Sequence, residues 1–323
     1  MKGFDASFKD LADYIVKITA EIWEERNVDA IYRYYHKDVL MHTPYGDGIG
    51  VEPVVQSTIE VLNTFPDRQL LPQDVICDQH KDDYHSSHRI ISVMHHTGHG
   101  IYGPPTNKRI QAYTFADCAV KNNQVYEEWM VRDYKAMISQ MGLVPLDFVR
   151  TKLLPSLTRS PSGRKKAKPP KIGVAKPKVP QISAATAYIE AQQALWEGKK
   201  LALINKIYHP GCILFLPGGK VRYGWQAADA FFLSYMATFS DLRLRIDRVT
   251  VNEKGGPFLR VAIRWHLEGI HSGAGLFGEP TFSPISIMGI SHAELYKEQV
   301  INQWIGIDEL AILAQLEMRR HSL

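Results

Sequence analysis

Residues 124–133, Gln-Val-Tyr-Glu-Glu-Trp-Met-Val-Arg-Asp, return 175 positions later as residues 299–308, Gln-Val-Ile-Asn-Gln-Trp-Ile-Gly-Ile-Asp, with Gln, Val, Trp and Asp at matching places. Other anchors repeat in the same order: Trp23 and Trp196, Tyr35-His36 and Tyr208-His209, Pro44 and Pro217, Phe65-Pro66-Asp67 and Phe239-Ser240-Asp241, and glycine-rich runs at 98–106 and 273–281. A chain of 323 residues built this way must fold as two like units, each large enough to bury its own core.

Within a unit the helical signals come first. Phe8, Leu11, Ile15, Ile18 and Ile22 recur at intervals of three and four, one stripe of an amphipathic helix. A short helix over 29–36, a brief strand over 39–42 ended by Pro44 and glycines, and a third helix over 51–64 follow. Strand-like segments then alternate with turns at Lys81-Asp82-Asp83, Gly103-Pro104-Pro105 and Asn122-Asn123, and a short helix over 134–140 closes the unit. Helices followed by a run of strands predict an α+β fold, two tandem domains, each a curved antiparallel sheet with helices packed on one face. The expected domains are 1–150 and 184–323, joined by a Pro-rich linker at 151–183.

That linker carries nine Lys and Arg and no Asp or Glu, so of the net charge of +4 the rest of the chain holds 4 − 9 = −5. The basic character belongs to one segment, which lacks the interleaved aromatics that stack on bases and reads as a solvated linker. Nucleic acid is therefore not an expected partner. No apolar run nears the length of a bilayer span and the start has no apolar signal core, so no membrane is expected and a cytoplasmic location is. Cys77, Cys118 and Cys212 are scattered without CxxC spacing, which favours neither a disulfide framework nor a zinc site.

Strict alternation along 124–133 puts Val125, Glu127, Trp129, Val131 and Asp133 on one face, with Tyr126, Glu128, Met130 and Arg132 on the other. A carboxylate beside a large apolar ring is raised in pKa by desolvation and becomes a usable proton shuttle. Asp133, with Trp129 as its wall, is thus a candidate acid/base, and an N-cap for the following helix is the alternative.

Trp23, Tyr35-His36-Lys37-Asp38-Val39, His42-Thr43-Pro44, Phe65-Pro66-Asp67, Gly103-Pro104-Pro105-Thr106 and Glu127-Glu128-Trp129 with Asp133 together resemble the SnoaL-like polyketide cyclases. These belong to the nuclear-transport-factor-2-like superfamily, which also holds ketosteroid isomerases and dehydratases. The likeness spans 8–142 and, more weakly, 184–318. It implies cone-shaped domains with a pocket between the helices and the concave sheet, a small-molecule substrate and no cofactor. The implied activity is a cofactor-free intramolecular aldol cyclisation of an apolar carbonyl compound, with isomerase and lyase chemistry close by. An Asp late in the sheet serves these cyclases as acid/base, and Asp133 is the match. Most relatives repeat the fold by dimerising, so an intrachain pseudo-dimer is expected here, with a homodimer of whole chains left open.

A cyclising site needs a base to take a proton next to a carbonyl and donors to hold the enolate. Asp133 suits the first task and His42 or His96 the second, with His88, Trp129, Glu127, Trp23 and Tyr35 around the substrate. Eight of the thirteen histidines lie in the first repeat, although a lone strand histidine is more often a hydrogen-bonded structural residue. A metal held by His42, His88 and His96 has no HExxH motif behind it and is not expected. Arg89 and Arg264 occupy matching mid-strand positions and must be paired if buried. In the second repeat Phe215 stands for His42, and Asn302 and Gln303 for Glu127 and Glu128, leaving Asp308, His271 and Trp304 around a chemically poorer pocket. The rival to an enzyme is a non-catalytic small-molecule-binding or scaffolding protein with two such domains.

Overall fold

The computed structural model of the chain describes residues 1–159, 182–252 and 257–320. It divides into two compact units whose boundary falls within the undescribed stretch between them. The first opens with α1 (Leu11–Trp23), where the Asp10 carboxylate accepts the Asp13 amide at 2.9 Å and caps the helix. Then come α2 (Ala30–Tyr34), β1 (Tyr35–Thr43), β2 (Gly46–Ile49) and α3 (Val51–Thr64), followed by β3 (Gln69–His80), β4 (Asp83–His95), β5 (Arg109–Lys121), β6 (Gln124–Arg132) and α4 (Tyr134–Gln140). Helical structure continues through α5 (Pro145–Phe148) and a π-turn into α6 (Leu154–Arg159), past the start of the expected linker; most of that linker lies outside the described residues.

The second unit repeats the order: α7 (Ser183–Trp196), α8 (Ile204–Ile207), β7 (Tyr208–Leu216), β8 (Lys220–Tyr223), α9 (Trp225–Thr238), β9 (Phe239–Asn252), β10 (Leu259–His271), β11 (Pro284–Tyr296), β12 (Gln299–Ile307) and α10 (Glu309–Arg320). Each repeat forms a six-stranded sheet, in the orders β2-β1-β6-β5-β4-β3 and β8-β7-β12-β11-β10-β9. The α+β fold is as expected, but the sheets are mixed and not purely antiparallel. β1 runs parallel to β6 and β7 to β12, because α3 or α9 and the meander supply the long connection that a parallel pair requires.

The core of the first unit is one cluster in which Leu11, Tyr14, Ile15, Ile18 and Ile22 of α1 meet Cys118, Val120 and Val125 of the sheet. Which sheet residues face the helices is decided by a β-bulge. Ala119 pairs with Glu127 and Val120 with Val125, so Tyr126 is an extra residue in the ladder with β5; on the other edge, where Tyr35 pairs with Val125 and Leu40 with Glu127, the excess residues lie on β1. An extra residue resets the alternation. Downstream of it Glu128, Met130 and Arg132, and not Glu127 and Trp129, share the face of Val125. The second unit carries the same bulge at Ile301, between the pairs Leu295–Val300 and Glu294–Asn302.

The repeated glycine-rich runs press against the end of the long helix. A Cβ on Gly98 would lie 1.7 Å from the Asn63 carbonyl oxygen, and one on Gly273 would lie 1.8 Å from that of Ala237. Backbone must move to admit it. Gly98→Ala is therefore expected to lower the melting temperature by several degrees, at a cost of roughly 2 kcal/mol or more. A thermal melt indistinguishable from wild type would show that the loop is free to shift.

Candidate active site

Between α1, α3 and the concave face of the first sheet lies a cavity of about 360 Å³. Rows of paired strand residues floor it. One runs Met41, Glu128, Cys118; the next Met130, Ala116, His88; the third Arg132, Thr114, Ile90. Ile15, Ile18, Ile22 and Trp23 of α1 and Ser57, Thr58 and Val61 of α3 form the opposite wall, and Arg68 closes one side just before β3. A smaller recess of about 220 Å³ shares Ile15, Thr19, Leu70, His88 and Ile90 with it. An apolar cavity holding a few ionisable groups is the usual form of a small-molecule site.

Those groups are perturbed in ways that define their use. Burial pushes the Glu128 carboxyl up to about 7, while the Tyr35 hydroxyl, donating to Glu128 Oε2 at 3.0 Å, pulls the other way. Burial likewise holds the Tyr35 phenol well above its ordinary range, so it is a donor. The buried His88 imidazole is pushed down to about 4 and is neutral, with Nδ1 3.4 Å from the Ser86 hydroxyl. Arg132 donates from Nη1 to the Tyr134 hydroxyl at 3.0 Å, and its Nε is buried without a partner. Arg68 lies over the Trp23 ring at 4.4 Å and donates from Nη2 to Ser92 Oγ at 3.1 Å. A carboxyl poised near neutrality can exchange a proton, and the phenol bonded to it and the Arg132 guanidinium, whose charge acts on it, can hold a developing negative charge.

The residues singled out from sequence divide into three sets. Trp23, Tyr35 and His88 line the cavity. His42, Glu127 and Trp129 come together but on the opposite face of the sheet, because the bulge at Tyr126 inverts the alternation assumed for them. His42 Nδ1 meets Asp47 Oδ1 at 2.8 Å, its Nε2 meets Glu127 Oε1 at 3.0 Å, and its ring stacks on Trp129 at 4.9 Å. Burial lowers the His42 pKa, but hydrogen bonds donated to the Glu127 and Asp47 carboxylates, together with their charges, outweigh it and the net shift is upward. Asp133 and His96 form the third set, neither among the lining residues. Asp133 is buried at the N-cap of α4, where Oδ1 accepts the Ala136 amide at 3.1 Å. His96 lies beyond the end of β4, where its Nδ1 accepts the Thr106 amide at 3.3 Å. The expected convergence of Asp133, His42 and His96 on one cavity is thus not what the fold produces.

In the second repeat the same positions are filled. Gln303 stands for Glu128, Ile305 for Met130, Ile307 for Arg132 and Ile263 for His88 in the equivalent ladder rows, and the Phe-x-Asp anchor aligns Leu242 with Arg68. Trp265, paired with Gly289 where the first repeat pairs Ile90 with Thr114, packs with Trp196, Phe231 and Phe232 across the former cavity. What remains is about 10 Å³, room for one water at most. Gln303 joins Tyr188 and Tyr208 by hydrogen bonds of 2.8 and 2.6 Å. The expected second-pocket residues are elsewhere. Trp304 stacks on Phe215, Asp308 caps α10, and His271 accepts the Thr281 amide as His96 does that of Thr106.

A curved sheet with helices over its concave face and a cavity between them is the architecture of the nuclear-transport-factor-2-like proteins. Within that class the chain belongs to the SnoaL-like polyketide cyclase family, whose sequence model matches residues 14–141 and again 186–316. Similar solved structures include IdmH from Streptomyces antibioticus, 19% identical over 40% of this chain and 98% of its own, with a TM-score of 0.34. TsrD from Streptomyces laurentii is 18% identical over 42% and 95%, with a TM-score of 0.36. A SnoaL-like polyketide cyclase from Agrobacterium tumefaciens is 13% identical over 41% and 97%, with a TM-score of 0.34. No curated protein matches the chain. Among the described residues no helix is long and apolar enough to cross a membrane, and no cluster of His, Cys, Asp and Glu is placed to hold a metal ion.

Glu128 was missed because nothing local marks a bulge. The signal that finds it is the difference between repeats: Arg68, His88, Glu128 and Arg132 are ionisable side chains whose counterparts in the second copy are all non-ionisable. Two outcomes follow. The folded protein holds the Glu128 proton more tightly than the unfolded chain, so this contribution to stability is fully present at low pH and is lost as pH rises from the ordinary carboxylate range through about 7. The melting temperature of Glu128→Gln relative to wild type should accordingly rise between about pH 5 and about pH 8, a pH-independent difference refuting it. Asp133→Ala, which removes the capping oxygen, should cost about 1 kcal/mol of stability and leave activity in the first cavity unchanged.

Proposed function

We propose that the first repeat is a cofactor-free acid/base enzyme of the aldol-cyclisation, isomerisation or dehydration type, acting on an apolar carbonyl compound in its cavity with Glu128 as the proton shuttle. The observation that carries this is the buried Glu128 carboxyl at about 7, hydrogen-bonded by Tyr35 and facing the cavity. A carboxylate of ordinary acidity is too weak a base for a carbon acid. Desolvation strengthens it, and at neutral pH both its forms are populated.

In the forward step the Glu128 carboxylate takes the proton from the carbon beside the substrate carbonyl. The electron pair of that bond moves onto the carbonyl oxygen and gives an enolate. Tyr35 and Arg132, adjoining Glu128 on this face, are the groups to hold the negative oxygen. The enolate carbon then either attacks a second carbonyl of the same molecule, whose oxygen receives the proton from Glu128, or takes the proton back at another carbon. Each route returns Glu128 to its starting form, and neither needs an oxidant or reductant. Membership of the cyclase family supports the aldol route, and the apolar walls of Ile15, Ile18, Ile22 and Val61 support a hydrophobic substrate. The second repeat, with Gln303 and a filled cavity, has no turnover of its own.

The test is hydrogen–deuterium exchange at the α-carbon of β-tetralone, followed by NMR in heavy water with the full chain. Wild type should exceed the buffer rate, the apparent rate constant should follow a titration near pH 7, and Glu128→Gln should lose about 100-fold or more. Exchange that survives in Glu128→Gln would remove the assignment. Tight binding of the ketone without any exchange would favour the non-catalytic binding protein.

A further inference from the structure

Arg68 is placed as a fold alone would not place it. It is 6% exposed, yet its Nε and Nη1 are buried with no hydrogen-bond partner, and its only donated side-chain bond goes from Nη2 to Ser92. No carboxylate among the described residues lies within ion-pairing distance of this guanidinium or of Arg132. Glu24, which contributes some favourable field, is engaged by the Leu70 amide at 2.6 Å. Leaving a buried cation unpaired costs several kcal/mol in general, and such groups persist where something else repays them.

The second repeat separates structural need from functional need. Trp196 keeps the place of Trp23, but Leu242 stands where Arg68 does, and that copy packs a continuous core. The tryptophan goes with the fold and the arginine goes with the cavity. Stacking on Trp23 fixes the plane of the guanidinium, and a planar fork with two unused donor nitrogens matches the two oxygens of a carboxylate. Ile15, Ile18, Ile22 and Leu70 make apolar stretches of the surrounding wall, and its Thr19, Ser57 and Thr58 add no charge.

We infer that the ligand of this cavity is an apolar compound bearing a carboxylate, and that Arg68 binds that carboxylate. This rests on the cavity being the reaction site proposed above and names the class of molecule it takes: a hydrophobic keto acid, its carboxylate at Arg68 and its reacting carbon toward Glu128. Burial and the like charge of Arg132 pull the Arg68 pKa down to about 9, in keeping with a cation that has no internal counterion. An anion would supply it. Glu128 does not take that role, since it stands in the first floor row under its bond from Tyr35.

The test compares naphthoate with naphthamide, alike in shape and differing in charge, by calorimetric titration of the full chain at about pH 6, where Glu128 is mostly protonated. Wild type should bind naphthoate at least about tenfold more tightly, a typical worth for a charge-assisted pair. Arg68→Met should abolish that preference, leave naphthamide affinity within about twofold, and melt no lower than wild type, because an unpaired buried charge has been removed. Equal affinities in wild type, or a preference that survives Arg68→Met, would overturn the inference. Should that variant fail to fold, Arg68→Lys takes its place: it keeps the charge without the fork, and an undiminished preference there overturns the inference equally. Glu128→Gln separates the two ideas. Loss of α-carbon exchange with no discrimination between probes would leave the acid/base reading standing and this one refuted. Discrimination with exchange retained in Glu128→Gln would do the reverse, and wild type binding neither probe would end both.

Discussion

One supernumerary residue in a strand decides which side chains line the cavity of this protein. Tyr126 has no opposite number in the ladder with β5, so every side chain after it is turned through the sheet. Without that bulge the concave face would receive Glu127, Trp129 and Val131. With it, the cavity receives Glu128, Met130 and Arg132. The bulge also lets one short strand serve two masters. Its outward residues stack Trp129 on His42 across the parallel pair, as Trp304 stacks on Phe215 in the second unit. Its inward residues are then free to carry ionisable groups.

Those inward groups show what desolvation does to a fold. The first unit keeps a carboxyl, an imidazole and two guanidinium groups in a space lined by isoleucines, and each departs from its ordinary acidity or lacks a partner. The second unit keeps the same backbone, bulge included, and replaces the set with Gln303, Ile263, Ile307 and Leu242. Its polar residue is fully satisfied by Tyr188 and Tyr208. Local violations of good packing and polar satisfaction concentrate where function is located, and here a copy without them exists in the same chain for comparison.

Much of the architecture was legible before any coordinates. The third helix over 51–64 and the last one over 134–140 coincide with α3 and α4, since both are bounded by strong signals: glycine and the Asp133 cap on the entering side, Phe65-Pro66 and Gly142 on the leaving side. The Asn122-Asn123 turn joins β5 to β6 with both residues at positive φ, as asparagines allow. The parallel pairing of β1 with β6 was not legible, because it depends on which strands meet after the meander curls. The site was half legible. Trp23, Tyr35 and His88 were found from residue type, whereas Arg68 lies outside any strand pattern and Glu128 was assigned to the wrong face by a period-two count that a bulge breaks.

The pairing of Trp265 with Gly289 ties two positions of the second unit to each other. The indole lies where a side chain on residue 289 would begin, since a Cβ there would sit 2.2 Å from its ring. Restoring a side chain at 289 alone creates an overlap, and trimming the tryptophan alone opens a void in an aromatic cluster. The two positions are therefore interdependent, and a hollow centre like that of the first unit is not one substitution away from the solid centre of the second.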